Sequence, residues 1–253
     1  MNESKPGSLD MGDIVAGAWD YYRRAPLSWL ALTLVSTVAI FAVQWALADR
    51  LDVGQDPTDQ QIRDAAPAVG ITLAVLILVN LFTHLALVDA AWGVLTAKPL
   101  QVARAYGAAV RHLLPALLGS LVVGLVAGLL AATLILVPLA VFFAISWSLF
   151  IQVMLAEQTG PRRALGRSRA LVKGHWWRTF GIIVAVALLA FLPGFVLGWV
   201  GTAIGQNWST ALAAALGGAI SAPFVAIAQT LLYLDLLARK GNRMLEFTQG
   251  SGR

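Results

Sequence analysis

Six stretches of this chain are long, apolar and nearly free of charge, and no other feature limits its fold as severely. They cover residues 27–48, 68–95, 113–136, 139–156, 180–202 and 210–237. A helix rises 1.5 Å per residue, so about 20 such residues cross a hydrocarbon core about 30 Å thick. Only 12% of the chain is charged, against about a quarter in soluble domains, so a water-soluble fold could not hide this much apolar surface. The expectation is an all-α polytopic membrane protein with six transmembrane helices, short interfacial helices on the cytoplasmic side, and one membrane domain over residues 10–238. Residues 1–9 read as a disordered start and residues 239–253 as a polar tail. Leu139 follows the third run so closely that Val137, Pro138 and Leu139 are expected to form a tight outer turn.

The polar segments between these runs set the topology. The segment 49–67 holds Asp49, Asp52, Asp56, Asp59 and Asp64 but only Arg50 and Arg63, and reads as a loop. The other sixteen lysines and arginines fall on the opposite side. The positive-inside rule then makes both termini cytoplasmic, in a bacterial inner membrane. The first apolar run begins behind an acidic, amphipathic segment, so internal spans are expected to act as uncleaved signals. With no cysteine present, disulfides, thiolate metal sites and a cysteine nucleophile are excluded.

Residues 157–181 carry the strongest local pattern. Gly160 and Pro161 can open a helix and Gly174 can close it. At 100° per residue, Ala164, Leu165, Leu171, Val172 and Trp176 share one face, and Arg162, Arg163, Arg167, Arg169, Lys173 and Arg178 the other. Such a basic amphipathic helix is expected to lie at a membrane interface. The segment from Asp10 to Arg24 has a similar stripe through Met11, Ile14, Val15, Ala18 and Tyr22. A third inner segment, 96–112, follows the second run, with Pro99 as its helix starter. The chain thus reads as three units of an inner helix followed by a helical hairpin. Duplication and a common need for amphipathic helices both account for this pattern.

Polar groups within or beside the spans are the candidates for function. Asn80 and His84 lie four residues apart in the second run, suited to a polar pathway or to interhelical hydrogen bonds. Gln44, Gln152 and Gln229 admit the same two readings. Asp89, Glu157 and Asp235 each close a hairpin at its inner mouth and can pair with the inner basic residues. Asp235 and Arg239 have the favourable i,i+4 order. Small residues recur at Ser120, Gly124, Gly128 and Ala132, and at Gly194, Gly198 and Gly201, where helices could approach closely. The three histidines are dispersed, and no hydrolase or phosphate-loop pattern is present, so no enzymatic activity and no cofactor or metal is expected.

Glu157, Ala164-Leu165, Ser168, Leu171-Val172, Lys173-Gly174 and Trp177-Arg178, with Pro223 and the run from Thr230 to Asp235, resemble the membrane domain of glycerophosphoryl diester phosphodiesterases and related bacterial integral membrane proteins. The resemblance covers most of the chain. It implies a helical inner-membrane domain, with catalysis confined in fused relatives to a separate soluble barrel that this chain lacks. Two functions are in contention. The first is a non-catalytic module that engages anionic lipid through the six basic residues above, or a membrane-protein partner or second copy; nucleic acid is not required. The alternative is a transporter or channel with a polar site around Asn80 and His84.

Overall fold

In a computed structural model, residues 9–51, 58–204 and 207–241 are described, and they are helical with no strands. The helices are α1 (Met11–Arg24), α2 (Pro26–Leu51), α3 (Asp59–Leu95), α4 (Val102–Ala131), α5 (Val137–Ser146), α6 (Phe150–Ala156), α7 (Pro161–Val172), α8 (Trp176–Ile204) and α9 (Asn207–Arg239). Six segments are long and apolar enough to cross a membrane: Pro26–Leu47, Asp59–Leu95, Val102–Ala131, Val137–Ala156, Trp176–Ile204 and Ala215–Arg239.

Several boundaries differ from the sequence reading. Helix α3 begins inside the expected loop, because Thr58 and Gln61 form a reciprocal cap: the Gln61 N–H donates to the Thr58 hydroxyl and the Thr58 N–H to the Gln61 side chain. Pro67 therefore lies inside the helix, which at 1.5 Å per residue is about 55 Å long. The inner segment before the third span is no separate helix. Val102 starts one continuous helix that passes through Pro115 to Ala131, so the second of the three supposed units lacks its own short helix. Val137 and Pro138 begin α5 rather than a turn; the reversal is made by Ala132 to Leu136.

The fourth span is broken at Trp147–Leu149. Phe150 donates its N–H to Trp147 O, which frees the Ser146 carbonyl. The Ser168 hydroxyl of α7 takes up that carbonyl at 3.0 Å. A buried carbonyl without a donor would be costly, so α7 completes the broken span. Gly174, at φ 87°, then turns the chain into α8 in the left-handed region that glycine tolerates.

Burial is uneven along the bundle. The last turns of α3 from Leu81, nearly all of α6 and the last third of α9 are buried. Large exposed apolar side chains instead line α2, the first half of α3, α4 and α8, including Leu34, Ile77, Leu125 and Phe195. Helices α1 and α7 wrap the solid end. Their apolar stripes, Ile14, Ala18 and Tyr22 on α1 and Ala164, Leu165, Leu171 and Val172 on α7, are buried against protein. Helix α1 runs antiparallel beside α9. Leu9 meets Asp235, a Cβ on Gly17 would lie 3.3 Å from Leu231, and Tyr22 shares a groove with Ile220 and Phe224. The amphipathic helices are thus built into the bundle, since the apolar ends of α3, α6 and α9 offer their stripes a better-packed surface than lipid.

Candidate functional site

Two polar regions stand out, an ionic layer at the solid end and a cavity further along the spans. In the ionic layer Asp235, on a fully buried stretch of α9, carries a side chain with no exposed surface. It accepts from Arg178 of α8 at 2.7 Å, from Arg239 one turn on at 3.0 Å, and from the Leu9 N–H at 2.8 Å. Both arginines also donate to the Leu9 carbonyl. A buried carboxylate needs this degree of compensation, and the cluster ties the start of α1 to α8 and α9.

Glu157, at the end of α6, accepts from Arg167 of α7 at 3.1 Å and from the Tyr233 hydroxyl of α9 at 3.3 Å. Asp89 Oδ2 pairs with the Arg104 guanidinium at 3.6 Å, beyond hydrogen-bond range, so Asp89 Oδ2 and Arg104 Nε are buried without a hydrogen-bond partner among the described residues. Arg104 crosses α3 at Gly93, where a Cβ would lie 2.2 Å from its guanidinium, so a side chain there would push the arginine head aside.

The six basic residues singled out from residues 157–181 therefore separate into two sets. Arg167 and Arg178 are half-buried in ion pairs. Arg162, Arg163, Arg169 and Lys173 are exposed, and among the described residues none of them meets an acid; Arg169 lies over the Phe143 ring at 5.7 Å. Beside them, burial and then the charges of Lys240, Arg239 and Arg178 push His175 below the usual histidine range. On α1, hydrogen bonds from Arg23 and Arg24 hold Asp20 below the usual carboxylate range.

The cavity lies between α2, α3 and α9, has a volume of about 200 Å³, and is lined by Thr33, Ser36, Thr37, Asn80 and Thr83 together with small residues of α9. Asn80 faces it and His84 does not. Positions three and four residues on diverge by about 100° around a helix, and the structure turns Thr83 to the cavity. His84 is half-buried and makes no hydrogen bond among the described residues, and it does not line this cavity with Asn80. The hydroxyls of α2 escaped the sequence reading because threonine and serine are common in spans. Their i, i+3, i+4 spacing from Thr33 was the available signal.

Gln152 and Gln229 join α6 to α9 through a 3.0 Å amide hydrogen bond. The side chain of Gln44 lies outside the described residues. Of the two small-residue stripes, Gly194 is met closely by Gly217 of α9, whereas a Cβ on Gly124 or Gly128 would meet nothing within 4 Å. Among the described residues, no group of three His, Asp or Glu side chains is placed to hold a metal ion. Comparison with known families, curated proteins and solved structures finds no match to this chain.

Proposed function

We propose that the protein is a non-catalytic integral membrane module that gathers anionic lipid head groups at its charged end. The carrying observation is the division of the basic residues. Asp89, Glu157 and Asp235 already have their arginines, which leaves Arg162, Arg163, Arg169 and Lys173 as surplus exposed positive charge. Clustered basic residues beside spans attract anionic lipid by about 1 kcal/mol each. Because the apolar face of α7 is buried in protein, the attraction is electrostatic rather than insertional. In this proposal the charged end faces the cytoplasm of a bacterial inner membrane, as the bias of sixteen basic residues to two suggests. Kinship with the phosphodiesterase membrane domain belongs to the same proposal.

The test is titration of the detergent-purified protein with phosphatidylglycerol and phosphatidylcholine. Preference for phosphatidylglycerol should weaken at least tenfold when Arg162, Arg163, Arg169 and Lys173 become Gln, and should weaken with added salt. Equal affinity for the two lipids would overturn the proposal. A second reading, a pathway for solute, is favoured by the cavity at Asn80 and receives nothing from His84.

A further inference from the structure

We infer that the cavity between α2, α3 and α9 is a binding site for a small uncharged solute rich in hydrogen-bond donors, of the amide or polyol class. The direction of its hydrogen bonds carries the inference. Thr33 donates to Leu30 O at 3.0 Å, Ser36 and Thr37 to Thr33 O at 2.6 and 2.9 Å, and Thr83 to Val79 O at 2.8 Å. Asn80 Nδ2 donates to Leu76 O at 2.8 Å. A carbonyl only accepts, so each of these side chains commits a hydrogen to its own helix. What remains are the lone pairs of four hydroxyls and Asn80 Oδ1, without a donor among the described residues, and beside them the second N–H of Asn80. The cavity therefore offers five acceptor groups against one free donor.

The space suits a solute larger than water. Its volume of about 200 Å³ far exceeds the 10–15 Å³, roughly, that one water needs on a comparable measure. Helix α9 keeps it open with Gly218, where a Cβ would meet nothing within 4 Å. Charge is the discriminating property. Among the described residues no charged one lines the cavity, and a cation carried into a span without a counter-ion is strongly disfavoured. An amide N–H or a polyol O–H meets the acceptors without that cost. The inference rests on the second reading only in sharing Asn80, and it concerns binding, not passage.

The experiment is saturation-transfer NMR on the protein in lipid nanodiscs, with acetamide, glycerol and methylammonium as probes. Acetamide or glycerol should receive saturation, and methylammonium should not displace it. Thr83→Val, nearly isosteric, should weaken binding about fivefold, the worth of one hydrogen bond. Gly218→Leu should abolish binding by filling the space while leaving every polar atom in place, in a helix that leucine favours over glycine. No saturation of any probe, equal saturation in Gly218→Leu, or displacement by methylammonium would overturn the inference. A liposome flux assay separates the two ideas: binding without flux keeps the site and removes the pathway.

Discussion

Glu157 shows how a single residue holds distant parts of the chain together. Its carboxylate is mostly buried, and its two partners come from α7 and α9. Glu157→Gln should lower the melting temperature in detergent, and Glu157→Asp should be milder. The cycle with Arg167→Ala should show a coupling of about 1 kcal/mol, since Arg167 is about a third exposed and solvent screens the pair. Strictly additive losses would mean that the two groups do not interact. At this scale the sequence reveals residue types and local spacing, and little more. Asp235 and Arg239 are visible as a pair because one helical turn joins them. Arg178 and the Leu9 backbone, 57 and 226 residues from Asp235, are not, because only packing brings them there.

Among the elements, α8 and α9 cross closely at Gly194 and Gly217, and two adjacent glycines of α9 serve opposite ends. A Cβ on Gly217 would lie 2.4 Å from Gly194 Cα, whereas one on Gly218 would enter open space. Backbone cannot yield as a flexible side chain does, so Gly217→Ala should cost about 1–3 kcal/mol. Gly218→Ala should be neutral or slightly stabilising, as helix propensity predicts. Thermal unfolding of the two variants tests this; equal behaviour would refute the close crossing. The periodicity of α7 was legible and correctly marks one apolar face. What that face touches was not, since buried protein and lipid demand the same side chains. The break in α5–α6 was hidden for a related reason: Trp147, Ser148 and Leu149 include no glycine, proline or charge to mark it.

For the whole molecule, the division between an exposed apolar half and a solid, charged half predicts a sided arrangement. The chain contains no cysteine, so single cysteines report cleanly. Asp64→Cys should react with an impermeant thiol reagent from outside intact cells, and Arg162→Cys only after the membrane is opened. Labelling of position 162 from outside would reverse the orientation. The all-α architecture and its six spans were determined by the sequence alone, because in hydrocarbon an apolar run has almost no option but to satisfy its backbone within its own helix. The surplus of basic residues was also present in composition. The tertiary structure decided which arginines are neutralised and which stay free, where the apolar faces of α1 and α7 go, and that hydroxyls from two helices surround one cavity beside Gly218. Those outcomes depend on contacts between residues far apart in the chain, and local periodicity carries no information about which distant surface a given face will meet.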